Sequence, residues 1–281
     1  MSVRLILDST TDAPDSLQGK VEIVPLVITF GDKEYIDGID IGHEKFYELL
    51  IESDVLPTTS QPAPASFAQA YERVIADGDE AVVITISSKL SGTYQSACIA
   101  ASEYPGKVFV VDSLNAAIGA GILAEYAMSL VEQGMGAKEI AETLTRERDK
   151  VSVIALMDTL EYLKRSGRIS KVAAVAGGLL SIKPVITLRD GAIEVLGKAR
   201  GSKQGNNLMI KEIRAAGGVD FDRPVLLGYT GLDNSLLLKY MEDSSDLWKP
   251  SRDHLEYRCV TGAIGTHTGP GAVAVAFFKK H

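Results

Sequence analysis

The chain has 281 residues, of which 46% are hydrophobic and 23% charged. That makeup belongs to a folded globular protein and excludes a disordered chain or a membrane bundle. A formal net charge of −8 repels a phosphate backbone, which excludes a general nucleic-acid binder.

The first strand pattern runs from Val3 to Leu7, directly behind the N-terminus and without a signal-peptide pattern, so the expected location is cytoplasmic. A second strand is expected from Ile23 to Phe30, then a small hairpin around Gly31-Asp32-Lys33 and Tyr35 to Gly38. Helical spacing of apolar residues marks His43 to Ile51 and Ala65 to Ala76. Strands follow at Ala81 to Ile86 and Lys107 to Val111, and this alternation of strand and helix is the pattern of a parallel sheet covered by helices. Ala116 to Val131 is the longest apolar stretch. Glu125 interrupts it and it falls short of the ~20 residues of a bilayer crossing, so it reads as a core helix.

A charged helix from Ala137 to about Lys150 leads into a strand at Val151 to Leu156. The expected lobes are residues 1–155 and 156–281, with any ligand between them. The second lobe carries a small-residue helix at Lys171 to Leu180 and a hairpin pairing Val185 to Leu188 with Ile193 to Leu196 across Arg189-Asp190-Gly191. A helix near Gly205 to Ala215, a strand at Pro224 to Gly228 and a helix near Asp233 to Glu242 come next. Strands at Leu255 to Val260 and Ala272 to Phe278 close the chain. The fold class is α/β: a mainly parallel N-terminal sheet flanked by helices, joined to a mixed C-terminal lobe.

Three stretches combine hydroxyls or glycines with positions where sites form. Thr58-Thr59-Ser60-Gln61-Pro62-Ala63-Pro64 precedes a helix, and on its own reads first as an N-cap. Ser87 to Ser96, including Ser91-Gly92, lies between a buried strand and a helix, where backbone N–H groups face a carboxylate or phosphate as readily as Ser91 caps its own helix. Gly262 to Gly271 surrounds His267 with glycines and reads as a loop able to lie close to a ligand. It is neither a Walker A nor a G-x-G-x-x-G motif. Two basic runs, Lys164 to Arg168 and Lys198 to Lys203, fit a phosphorylated ligand, an acidic partner or plain solvated turns.

Ser91, His267 and an acid such as Asp112 are the residue types of a hydrolytic triad, so a serine esterase is one alternative, although Leu90-Ser91-Gly92 lacks the G-x-S-x-G elbow. An anion-binding regulatory module is another. Asp8, Asp12, Asp37, Asp40 and Asp112 read as scattered carboxylates, and two cysteines, Cys98 and Cys259, without a C-x-x-C spacing imply no metal or cofactor.

Taken together, Asp8-Ser9-Thr10-Thr11-Asp12, Thr59-Ser60-Gln61-Pro62, Ile86 to Ala97, Tyr162 to Ile169, Ile182-Lys183-Pro184 and Gly265 to Gly271 resemble the DegV family of bacterial fatty-acid-binding proteins. The resemblance implies a two-lobed α/β fold that seals one long-chain fatty acid, such as palmitate or oleate, between its lobes. Ser91 and the Gly92 backbone would hold the carboxylate, with Thr59 and His267 completing the head-group site. Arg168 and Arg200 resemble the family's partner-facing positions. There a separate fatty acid kinase subunit would phosphorylate the acid to an acyl phosphate for phospholipid synthesis. The chain itself would be a carrier without catalysis, with at most transient membrane contact.

Overall fold

The computed structural model describes residues 2–169, 182–251 and 255–280. Strand β1 (Val3–Asp8) is buried from Leu5 onward, as befits a Leu/Ile run covered on both faces of a sheet. The expected single strand from Ile23 to Phe30 is two strands. Pro25 has no N–H to give a ladder, so β2 (Val21–Val24) ends there and β3 (Val27–Phe30) restarts in a different sheet. Gly31, at φ 57°, turns β3 into β4 (Lys33–Ile36), the expected small hairpin.

The first half continues through α1 (His43–Glu52), β5 (Thr58–Ser60), α2 (Pro64–Ala76), β6 (Glu80–Thr85), α3 (Thr93–Ala101), β7 (Val108–Asp112), α4 (Ile118–Glu132) and α5 (Ala137–Glu147). Strands β2-β1-β6-β7 form an all-parallel sheet. Strand β5 adds antiparallel to β3, which makes β4-β3-β5 a separate three-stranded sheet with Ile28 opposite Thr59.

The second half runs β8 (Val151–Leu156), α6 (Glu161–Arg165), β9 (Ile182–Arg189), β10 (Ala192–Arg200), α7 (Gly201–Ala215), β11 (Val225–Tyr229), α8 (Ser235–Asp243), α9 (Ser245–Trp248), β12 (Tyr257–Cys259), α10 (Gly262–Thr268) and β13 (Val273–Phe278). Its mixed sheet has the order β10-β9-β8-β13-β11-β12. Because β8 is a central strand here, this sheet begins at Val151. Asp190 and Gly191, both at positive φ, close the β9–β10 hairpin as the sequence indicates. The helix expected from Lys171 to Leu180 lies outside the described residues. No helix among the described residues is long and apolar enough to cross a membrane.

Helix α4 is apolar nearly all round because it lies between the two main sheets. Its Ile118, Ile122, Leu123 and Ala127 share one cluster with Leu5, Leu7, Val82 and Ile84 of the parallel sheet and with Val153, Leu226, Ala276 and Phe278 of the mixed sheet. Gly121 permits the approach: a Cβ there would stand 2.8 Å from the carbonyl carbon of Asp12.

Candidate ligand-binding site

The carboxyl ends of β1 and β6 open toward a small cavity between the two halves. Its volume is about 70 Å³, and its described walls come from Leu26, Ile86, Leu90 and Ala116 on one side and Leu163, Ile193 and Ile264 on the other. Thr10, Thr59, Ser91, Arg168, His267 and Thr268 supply the polar lining. The structure therefore gathers Thr59, Ser91, His267 and Arg168 at one apolar cavity. An apolar cavity of roughly 150 Å³ admits benzene, so this one is too small for a complete long hydrocarbon chain.

Thr59 does not cap α2, as its local sequence suggests. The N-cap is Ala63, without a side-chain bond and with Pro64 in the first turn, while Thr59 sits in β5 and its Oγ1 lies 2.8 Å from His267 Nε2. Ser91 Oγ accepts the Thr93 N–H at 3.3 Å, lies 2.9 Å from Thr93 Oγ1, and lines the cavity, while the N-cap of α3 is Gly92. Gly92 is half-buried and Gln61 covers the place where a Cβ would stand.

The glycine stretch around His267 is not a loop but helix α10, and its glycines serve packing. A Cβ on Gly262 would stand 2.8 Å from Ile28 Cδ1, and one on Gly265 would stand 2.6 Å from Phe46 Cε1 and 2.8 Å from the Tyr47 hydroxyl. Helix α10 thus lies directly on α1, and its last turn delivers His267 to the cavity. Burial, and secondarily the charge of Arg168, push the His267 pKa down to about 4, so the imidazole is neutral at physiological pH. Its Nδ1 is buried without a partner.

Arg168 is half-buried and lines the cavity. Its Nε donates to the Leu90 carbonyl at 3.3 Å and its Nη1 to the Ser166 carbonyl at 2.5 Å. Arg200 is exposed at the end of β10, outside the cavity, with its backbone N–H on Gln204.

Three carboxylates that look scattered in sequence are brought together and brace the site. Asp8, fully buried, accepts the Thr10 hydroxyl, the Thr10 N–H at 2.9 Å and the Ile86 N–H at 2.7 Å. That last bond anchors the strand end that leads to Ser91. Asp37 accepts the Ser9 hydroxyl at 2.8 Å and the backbone N–H groups of Gly262 and Ala263 at the start of α10. Asp12 accepts the Thr261 N–H at 2.9 Å. Burial raises all three, Asp12 to about 7 and Asp37 to about 6. The signal for this frame was the Asp8-Ser9-Thr10-Thr11-Asp12 motif, but Asp37 joins it only through the tertiary fold.

A hydrolytic triad is not assembled. Asp112 accepts the Ser88 and Leu114 N–H groups at 3.1 and 3.0 Å, His267 is bonded to Thr59, and among the described residues no acid meets its Nδ1. A neutral histidine without an acid partner, and not bonded to the serine, lacks the arrangement that makes serine a nucleophile.

Comparison with known proteins agrees with this architecture over its whole length. A DegV domain-containing protein of Caldanaerobacter subterraneus subsp. tengcongensis is 34% identical over 287 residues, covering 99% of both chains. A solved structure described as fatty acid binding of a DegV family protein from Thermus thermophilus is 34% identical, with a TM-score of 0.86 over 99% of this chain and 100% of that one. The fold alone is shared with the Streptococcus pneumoniae Fatty Acid Kinase (Fak) B3 protein loaded with linoleic acid, at 23% identity and a TM-score of 0.85 over 100% of both chains. The family model described as "Uncharacterised protein, DegV family" matches residues 2–280, and the chain belongs to that family.

Proposed function

We propose that this chain binds a long-chain fatty acid and presents its carboxylate to a separate kinase subunit for conversion to an acyl phosphate. The observation that carries the reading is the apolar cavity between the halves, whose lining includes Thr59, Ser91, His267 and Arg168. A carboxylate loses its hydration on burial and needs donors in return. The Ser91 and Thr59 hydroxyls, the neutral imidazole and the Arg168 guanidinium are suitable ones. The hydrocarbon supplies the affinity: ~15 methylenes at ~0.8 kcal/mol give roughly 12 kcal/mol gross, against an association cost of about 4 to 15 kcal/mol. Met157, Leu160, Leu163, Ile186, Ile193 and Val195 form an apolar cluster that meets the cavity at Leu163 and Ile193. It offers the tail its path once flexible side chains such as Met157 give way. The Thermus thermophilus relative supports the ligand class, and the family resemblance, with Arg200 exposed, supports the reading of a kinase step.

Native mass spectrometry and solvent extraction of the purified protein test the first part. A stoichiometric fatty acid is expected, and Ser91→Ala weakens oleate binding by roughly 5- to 100-fold, the cost of one missing partner to a buried charge. Protein that is empty and takes up no oleate overturns the reading. For the second part, Arg200→Ala retains oleate but loses acyl-phosphate formation with the kinase and ATP; unchanged turnover rejects a docking role for Arg200.

A further inference from the structure

A second cleft, of about 380 Å³, opens beside the acid frame and shares none of its described lining with the cavity at Ser91. Its size falls within the usual range for small-molecule sites, roughly 300–1,000 Å³. At its wall Asp12 is 1% exposed. One carboxylate oxygen, Oδ1, accepts the Thr261 N–H, but Oδ2 is buried with no partner. The neighbouring Thr11 is 5% exposed, and its hydroxyl is also buried without a partner. Arg258 attracts the Asp12 carboxylate electrostatically, yet no ion pair joins the two among the described residues, and its Nη1 lies 3.9 Å from Asp15 instead.

Buried carboxylate oxygens in native proteins find donors, and Asp12, which has one unmet among the described residues and lines a cleft of this size, calls for a donor from a ligand. Among the described lining the cleft sets Asp12, Asp15 and Asp37 against one cation, Arg258, so its field selects positive charge. The remainder of the lining, including Pro14, Leu17 and Val21 with Ile23 and Ile39 exposed at 44% and 71%, is apolar. We propose that this cleft is a binding site for a small organic ammonium, a primary amine on a short apolar body, whose N–H donates to Asp12 Oδ2 and whose alkyl part lies against Ile23 and Ile39.

Full-length protein titrated with n-butylammonium, n-butanol and butyrate, by calorimetry and by NMR with the amides of Thr11, Asp12 and Thr261 as reporters, tests the site. Butylammonium is expected to saturate and to shift those amides, with the alcohol and the acid weaker by roughly tenfold or more. Asp12→Asn abolishes the preference for the amine. Because Asp12 also holds Thr261, Ile39→Arg provides a second variant at an exposed position, where a guanidinium placed in the cleft competes with the ligand while the fold stands. Equal responses to amine and alcohol, which a resident water on Asp12 would give, overturn the proposal. So does amine binding that survives both variants, or the absence of saturable butylammonium binding.

Discussion

His267 shows how a single side chain is tuned by its surroundings. Burial holds its pKa near 4 against an ordinary 6.5, so the folded protein binds fewer protons than the unfolded chain between those values. Stability from this residue is complete above about pH 6.5 and is lost as the pH falls toward 4. The His267 ring resonances are therefore expected to keep their neutral positions down to pH 5, and His267→Phe to flatten the acid limb of the stability profile. A ring that titrates near 6.5 contradicts the burial. Thr59, Ser91 and His267 were legible in the sequence because each is a chemically distinct residue inside a recognisable stretch. The role of Asp8, Asp12 and Asp37 was not legible, because residues 25 to 29 positions apart meet only when β1 and the turn after β4 converge on α10. Arg168 was visible as a basic residue, but its place at the cavity depends on how α6 packs.

At the scale of elements, the parallel sheet and the two hairpins could be read from apolar runs and turn residues. Besides the Thr59 stretch, local rules failed in two further places for identifiable reasons. Strand propensity carries across Pro25, but the missing N–H does not, so one run serves two sheets. Glycine disfavours helix by about 1 kcal/mol relative to alanine, so residues 262–271 read as a loop. The helix forms nonetheless, because its bare face fits against Phe46 and Tyr47 and its first N–H groups meet Asp37. Gly265→Ala tests that fit. The added methyl lands on Phe46 and Tyr47, and the overpacking is expected to cost roughly 1–3 kcal/mol in a denaturant titration, with oleate affinity falling as His267 is displaced. Gly42→Ala, where a Cβ meets nothing within 4 Å, serves as the control and leaves oleate binding unchanged. Equal effects of the two substitutions on oleate binding would remove the packing explanation.

For the whole molecule, the shared cluster around α4 matters most. A composition-based boundary near residue 155 divides the chain into two lobes, but Leu5, Leu123, Val153 and Phe278 belong to one cluster that spans both main sheets. Thermal unfolding is therefore expected as a single transition. Oleate at about one hundred times its dissociation constant adds about 2.7 kcal/mol, which for a chain of this size raises Tm by roughly 5–10 °C. Two resolved transitions, with only one shifted by oleate, would show that the halves stand independently.

The same buried helix also bears on traffic. Swinging the halves apart like a clamshell would strip water-shy surface from α4, a heavy barrier to any exchange of ligand. Ligand exchange would cost less through local yielding of cavity-lining side chains such as Leu90, Leu163 and Ile193, with the rest of the body still. The lifetime of the loaded state would then be set by a handful of side chains at the rim, well apart from the strength of the global fold.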